Sequence, residues 1–174
     1  MKKEIIMLIL LIFFAFLICA FLYFKNNRII DANLNMYFFN AGKADSILIY
    51  NNDFSVLIDT GTNDLGDTII NYLEEKHINK LDYLIITHFD KDHVGSAHKI
   101  IKNIRIDNVL QSNYPKESNA YENYINALLS ANINPITVRE DFSFEFGDVK
   151  FNVNPPTQEE YSNDPSNNSS LITS

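Results

Sequence analysis

The densest group of chemically capable side chains is the run T-H-F-D-K-D-H-V-G over residues 87–95. It offers four side chains that could bind a metal ion: His88, Asp90, Asp92 and His93. Imidazole nitrogen and carboxylate oxygen together suit zinc, manganese or iron. The first three candidates alternate along the chain and the last directly follows the third, so one loop could supply ligands to two nearby ions. We therefore predict a metal site in this run, with Asp92 also as the candidate catalytic carboxylate.

The alternative interpretation of this run is a solvated surface loop. Histidines and acids in polar loops are usually exposed to water rather than bound to metal. Here, however, the four candidates fall within six positions and directly follow an apolar run. That density favours metal binding over a solvated loop.

A second candidate group is the run D-T-G at residues 59–61, which ends a strand-like run over 54–58. A carboxylate at Asp59 could accept a hydrogen bond from a metal-binding histidine and so fix the orientation of its ring. The alternative is an ordinary turn aspartate next to Gly61. The later histidine-aspartate run favours the first interpretation.

The elements that must position these residues follow from the apolar pattern. Residues 81–87 (L-D-Y-L-I-I-T) have a nearly continuous apolar core, as in a strand buried on both faces, and the metal-binding run follows directly. In layered α/β folds, functional sites form in the loops at the carboxyl ends of strands. Strands are predicted over 34–39, 45–50, 54–58, 81–87, 106–111, 136–138, 142–146 and 149–153, and helices over 67–77, 96–103 and 119–131. The order of a β-meander followed by β/α alternation predicts a layered α/β fold.

Composition excludes several classes of protein. The chain has 174 residues, 46% of them hydrophobic, which is too many for a disordered protein. It carries 14 Lys and Arg against 22 Asp and Glu, for a net charge of -8, which excludes a basic protein that coats nucleic acid. Its one cysteine, Cys19, excludes a disulfide scaffold.

The N-terminal segment differs from the rest of the chain. Residues 5–24 form a stretch of twenty residues without charge or proline, long enough to span the hydrocarbon core of a bilayer as a helix. We predict an uncleaved N-terminal membrane anchor over 1–28, a linker over 29–34 and a domain over 35–174. A cleaved signal peptide and a lipid attached at Cys19 are the alternatives.

The charges around this segment give a predicted topology. Residues 1–28 carry a net charge of +3, so residues 29–174 carry -11. Lys2 and Lys3 precede the apolar stretch and favour a cytoplasmic N-terminus. The expected location is therefore the cell membrane, crossed once, with the acidic domain outside the cytoplasm.

The runs L-I-D-T-G and L-I-I-T-H-F-D-K-D-H-V-G resemble the metallo-β-lactamase fold superfamily. Residues 39–49 (F-N-A-G-K-A-D-S-I-L-I) and 167–171 (N-N-S-S-L) further resemble its ComEC-like branch, which includes the hydrolase-like domain of bacterial DNA-uptake proteins. The resemblance implies the N-terminal part of an αββα sandwich. It also implies a divalent metal, zinc or manganese, and hydrolysis of a phosphodiester or ester-like bond, with DNA as one candidate substrate.

The residues carry over by position. His88, Asp92 and His93 match the first histidine, the aspartate and the last histidine of the superfamily motif H-x-H-x-D-H. Asp90 stands where the second histidine is usual, a substitution typical of the ComEC-like branch, and Asp59 matches the supporting aspartate of an earlier motif. The anionic Asp90 should favour harder metals or weaken zinc binding.

The resemblance also implies that part of the fold is missing. Family members continue with a strand ending in T-G-D, whose aspartate bridges two metals, and later supply a final histidine, whereas the sequence ends at Ser174. We therefore expect an incomplete domain. Two functions stay open: a membrane-anchored metallo-hydrolase of unspecified substrate, and a truncated, non-catalytic remnant or interaction domain. The charge of the domain would repel free DNA, which weakens the case for a nuclease.

Overall fold

The computed structural model describes residues 2–26, 33–157, 163 and 165–174. Most of the predicted linker, residues 29–32, lies outside the described residues. The chain divides into two compact units, Met1–Ala32 and Asn33–Ser174.

The first unit contains helix α1 (Lys2–Asn26), which is apolar along its middle. Its described apolar side chains, such as Phe14 and Phe16, are mostly exposed. A membrane-spanning helix was predicted over 5–24. In the described part of the chain, however, no helix combines the length and apolar character needed to cross a membrane.

The second unit contains a mixed sheet with the described strands in chain order across it. These strands are β1 (Asn35–Phe38), β2 (Ile47–Tyr50), β3 (Ser55–Ile58), β4 (Lys80–Ile86), β5 (Arg105–Gln111) and β6 (Ile136–Thr137). The first three pair antiparallel, as a meander should. From β3 to β6 the pairing is parallel, so the carboxyl ends of these strands lie at one edge of the sheet.

Helices form the crossovers between the parallel strands. They are α2 (Gly66–Glu75), α3 (Ala97–Asn103) and α4 (Asn119–Ala131), with a 3-10 turn at Asn63–Leu65 before α2. The predicted bounds of α4 are confirmed. The Ser118 side chain caps its first turn by accepting a hydrogen bond from the Tyr121 N–H at 3.2 Å. The helix ends at Ala131 and is capped by Asn132, whose left-handed backbone (φ 54°) closes the last turn.

A second, antiparallel sheet packs on the other face of the first. Its described strands are β7 (Phe142–Phe146), β8 (Val149–Asn154) and β9 (Ile172–Thr173), and the short helix α5 (Pro165–Asn168) precedes β9. Aromatic rings fill the space between the sheets: Tyr83 stacks on Phe144 with ring centroids 3.7 Å apart. Phe54 stacks on Phe146 at 4.5 Å.

The described residues therefore form a layer of helices, a mixed sheet and a smaller sheet, with one apolar core on each face of the mixed sheet. The predicted layered α/β class is confirmed. Strand β4 lies at the centre of the arrangement, and Leu81, Leu84, Ile85 and Ile86 are fully buried along it. This burial explains the nearly continuous apolar sequence of β4. It also holds the end of β4 in place, and the metal-binding run starts directly after it.

Candidate metal-binding site

The predicted site residues lie where two parallel strands end side by side. Ile58 at the end of β3 pairs with Ile85 near the end of β4. Asp59 directly follows β3, and Thr87 and His88 follow β4, so the pairing brings the two runs into contact. A backbone hydrogen bond joins the two runs: the Asp59 N–H donates to the Ile85 carbonyl oxygen at 2.8 Å.

Asp59 is the hydrogen-bonding centre of the site. It is only 3% exposed, and its backbone is left-handed (φ 55°). Its Oδ1 accepts from Thr87 N–H at 2.8 Å. Its Oδ2 accepts from Thr87 Oγ1 at 2.6 Å and lies 2.8 Å from His93 Nδ1. The carboxylate thus joins the end of β4 to the histidine that closes the metal-binding run.

His93 is oriented by this carboxylate. Since a carboxylate only accepts hydrogen bonds, Nδ1 of His93 must carry a proton toward Asp59, and this leaves Nε2 as the nitrogen available to a ligand. Nε2 lies 3.8 Å from Asp45 Oδ2. Burial lowers the pKa of His93, but the hydrogen bond to Asp59 and the nearby carboxylates outweigh it, and the net shift of the pKa is upward.

His88 lies beside His93 and is buried, with 3% exposure. The two ring centroids are 3.9 Å apart, with the ring planes tilted by 47°. Burial, and then the charge of His93, lower the pKa of His88, so its imidazole is held in the neutral form that metal ions bind. Its Nδ1 lies 3.1 Å from Thr87 Oγ1. Its Nε2 is buried and has no hydrogen-bond partner among the described residues.

The Asp90 side chain has different hydrogen-bond partners from the two histidines. Its Oδ1 accepts hydrogen bonds from both Lys116 Nζ and Ser166 Oγ. Burial raises the pKa of Asp90, yet these two donors more than offset it, and the pKa is lowered overall. Asp90 is therefore an ion-paired carboxylate that ties its loop to the segment after β5 and to α5.

Asp92 and Asp45 are two further carboxylates close to the histidines. Asp92 is partly buried, and its negative charge raises the pKa of both histidines among the weaker influences on them. Its backbone carbonyl oxygen accepts from Asp45 N–H at 3.2 Å. Asp45 was predicted inside a strand over 45–50, but β2 begins at Ile47, so Asp45 lies in the preceding loop with a largely exposed side chain.

The four predicted ligands are not gathered around one point. Across the described ranges of the chain, no group of three or more His, Cys, Asp or Glu side chains is spaced to hold a metal ion. Asp90 does not contribute to such a group because Lys116 and Ser166 already donate hydrogen bonds to its Oδ1. The two histidines do fit a divalent ion, because His88 has a buried nitrogen without a hydrogen-bond partner among the described residues, and Asp59 fixes the proton of His93 on Nδ1 so that Nε2 keeps its lone pair. The fit therefore rests on His88 and His93.

The segment N-N-S-S-L at 167–171 lies against the site. Leu171 N–H donates to the Thr87 carbonyl oxygen at 3.0 Å. Ser112 Oγ donates to the Ser169 carbonyl oxygen at 2.8 Å. These bonds hold the second sheet to the carboxyl ends of β4 and β5, close to the metal-binding run.

Sequence reasoning missed Lys116, Ser166 and Asp45 as residues of this site. Lys116 and Ser166 lie 26 and 76 positions from Asp90 along the chain, so no local spacing could indicate them. The one available signal was the N-N-S-S-L segment, which directly follows Ser166.

Comparison with solved structures supports the fold at low sequence identity. Metallo-beta-lactamase SMB-1 aligns over 70% of this chain and 50% of its own, with a TM-score of 0.53 and 14% identity. A flavo-diiron protein mutant from Thermotoga maritima aligns over 75% and 31%, with a TM-score of 0.53 and 19% identity. A peroxy-diiron form of the chemotaxis sensor ODP aligns over 82% and 55%, with a TM-score of 0.57 and 14% identity. The chain thus spans about half or less of the lengths of these structures.

Comparison at the level of sequence gives the family. No curated protein matches the chain. The metallo-beta-lactamase superfamily matches over residues 40–158, a range that includes Asp59, His88 and His93 and covers more than half of the chain. Together with the layered fold and the paired histidines after β4, this match shows that the chain belongs to the metallo-beta-lactamase superfamily.

Proposed function

We propose that this chain is a metal-dependent hydrolase domain in which His88 and His93 hold a divalent ion. The observation that carries the proposal is the buried Nε2 of His88, which lacks a partner among the described residues, beside a histidine fixed by Asp59. A buried nitrogen without a hydrogen bond is costly unless a ligand uses it. Zinc is the first candidate metal and manganese the second, since imidazole suits zinc and carboxylates suit manganese.

The residues of the chain would each perform a distinct task. When bound, a divalent ion supplies a water of lowered pKa as the attacking hydroxide. His88 and His93 donate neutral nitrogens, and Asp59 holds the His93 proton on Nδ1. Asp92, partly buried beside both histidines, is the candidate to position the attacking water or accept its proton.

The substrate class proposed is a phosphodiester or ester-like bond. The N-N-S-S-L segment against the site and the aspartate at position 90 support a ComEC-like branch assignment over a β-lactam hydrolase. The net charge of -11 over residues 29–174 weakens the case for free DNA, because long-range repulsion slows the approach of a polyanion. Small phosphodiesters are therefore preferred probes.

The experiment measures metal and activity in the same preparations of the full chain. Chelator-treated protein is titrated with Zn²⁺ and Mn²⁺ by calorimetry and assayed on bis(p-nitrophenyl) phosphate, p-nitrophenyl acetate and a chromogenic β-lactam. We expect binding and phosphodiester turnover in the wild type, loss of most bound metal in His88→Ala and His93→Ala, and loss of turnover in Asp92→Ala. His77→Asn is the matched control, since His77 is exposed and its left-handed backbone (φ 57°) accepts asparagine. Absence of metal binding in the folded wild type would refute the proposal.

The second candidate function is a non-catalytic remnant or interaction domain. It is favoured by the ion pair that engages Asp90. A stably folded chain that binds neither metal and hydrolyses none of the three substrates would support it.

Membrane attachment, with the domain outside the cytoplasm, stays a prediction from the sequence of residues 5–24 and its flanking lysines. Cell fractionation and a protease added to intact cells would check it. Digestion of the domain is the expected result, and full protection would argue for a domain inside the cell.

A further inference from the structure

The most informative departure from a simple metal site is the pair formed by Asp90 and Lys116. Lys116 lies between β5 and α4, and its Nζ reaches Asp90 Oδ1. Ser166 on α5 donates to the same oxygen. One carboxylate oxygen therefore receives two donors from two segments that are far apart in sequence.

The surroundings make this pair stronger than a typical surface ion pair. The Asp90 side chain is 20% exposed and that of Lys116 is 38% exposed, so water screens the pair only in part. A second donor, from Ser166, satisfies the same oxygen and adds a charge-assisted hydrogen bond. A metal ion that used this oxygen would have to displace an ammonium group and a hydroxyl group.

We propose that Lys116 is a built-in cation that competes with metal for Asp90, so that the histidine pair binds a single ion without the help of Asp90. The inference rests on the proposed function, because it assumes metal binding at His88 and His93. In electrostatic terms, Lys116 cancels the charge that Asp90 would offer to an ion and adds a positive charge close to it. Asp90 then acts as an anchor for Lys116 and α5 rather than as a ligand.

The test is a double-mutant cycle on metal affinity in the full chain, with Zn²⁺ alone and Mn²⁺ alone as probes. Lys116→Met removes the competing charge while keeping an apolar stem, and we expect about tenfold tighter binding. Asp90→Asn in the wild type should change affinity less than about threefold, since the released lysine can turn into solvent. In the Lys116→Met background, Asp90→Asn should abolish the gain, because only there is Asp90 free to act as a ligand.

The control is Lys76→Met, which removes the same charge from an exposed pair with Glu75 at the end of α2. Its metal affinity should equal that of the wild type. Circular dichroism and thermal unfolding verify that each variant is folded, and Lys116→Gln replaces Lys116→Met if the latter is not. The stoichiometry should be one ion per chain in the wild type.

The outcomes separate this inference from the proposed function. Unchanged affinity in Lys116→Met, or a loss in Asp90→Asn as large as in His88→Ala, overturns the role of Lys116 while leaving metal binding intact. Two ions bound per wild-type chain would also overturn it. If no folded variant binds either metal, both the proposed function and the inference fail.

Discussion

Asp59 is the residue at which one substitution should change both the stability and the chemistry of the site. Asp59→Asn keeps the size of the side chain, and asparagine tolerates the left-handed backbone at this position (φ 55°). What changes is that one acceptor oxygen becomes an N–H₂ donor. The amide oxygen can still accept from Thr87 N–H, and the Thr87 hydroxyl can rotate to accept from the amide. At His93 Nδ1, however, two donors now face each other.

The magnitude follows from these contacts. Charge-assisted hydrogen bonds contribute about 1.5–3 kcal/mol each, and the variant loses one and weakens two, while the neutral amide is easier to bury than a carboxylate. We expect Asp59→Asn to lower the free energy of unfolding by about 1–3 kcal/mol. Asp59→Ala should cost about 3–5 kcal/mol, because three partly buried donors lose their partner and alanine is strained at positive φ.

The chemical effect acts through the proton on His93. The His93–Asp59 contact can recover in the asparagine variant only if the His93 proton moves from Nδ1 to Nε2, and Nε2 then has no lone pair to offer a metal ion. Loss of such a supporting partner typically lowers metal affinity ten- to hundred-fold. His88 should keep its neutral form, since burial is the main cause of its lowered pKa.

The assay is urea unfolding of the chelator-treated full chain by circular dichroism, with Zn²⁺ affinity measured on the same preparations. Asp67→Asn is the matched control, because the Asp67 side chain is 74% exposed and its ion pair with Lys99, at 3.1 Å, is accessible to water. The control should stay within about 0.5 kcal/mol of the wild type. If Asp59→Asn matched the wild type in both stability and affinity, Asp59 would not be orienting His93 and the reasoning would be refuted.

Three further predictions concern packing in the domain, each checked by urea unfolding of the full chain. Gly95→Ala should lower the free energy of unfolding by more than about 3 kcal/mol, since a Cβ there would overlap two backbone carbonyl oxygens. At Gly42 a Cβ would meet no atom within 4 Å, so Gly42→Ala should cost only about 1 kcal/mol, for its positive φ. Tyr124→Phe should cost about 1–2 kcal/mol, because the buried hydroxyl donates to Gln111 Oε1 at 2.8 Å. Phe151→Ala should cost about 3–5 kcal/mol by opening a cavity between the sheets. A cost below 1 kcal/mol at Gly95 or Phe151, or none at Tyr124, would contradict the packing described.

The parts of the site that could be predicted from sequence are those set by strand pairing. The apolar run over 81–87 identifies a buried central strand, and such a strand must end at the edge where its parallel neighbours also end. This geometry brings Asp59 to His93 across 34 positions of sequence. The same reasoning gives the layered α/β class, because a meander followed by β/α alternation has few ways to bury its apolar faces.

The parts that could not be predicted depend on side chains that reach the site from loops. The lysine at 116 lies in the run Y-P-K-E-S, a polar segment with no pattern that indicates its direction. The run D-S-I-L-I-Y predicts a strand that begins at Asp45, yet the loop before β2 turns this residue toward His93. Loop conformation depends on tertiary contacts that leave no periodic trace in the sequence.

The contrast between the two histidines and Asp90 bears on how this domain departs from the superfamily pattern. At the position where H-x-H-x-D-H has a second neutral histidine, the chain has an anion, and an anion inside a partly buried site must be compensated. A second metal ion is one way to compensate it, and a lysine is another. Lys116 compensates Asp90 within the chain itself, with Ser166 as a further donor. The charge of Asp90 is therefore balanced inside the domain by a residue 26 positions further along the chain, and the site does not depend on a second metal ion for that balance.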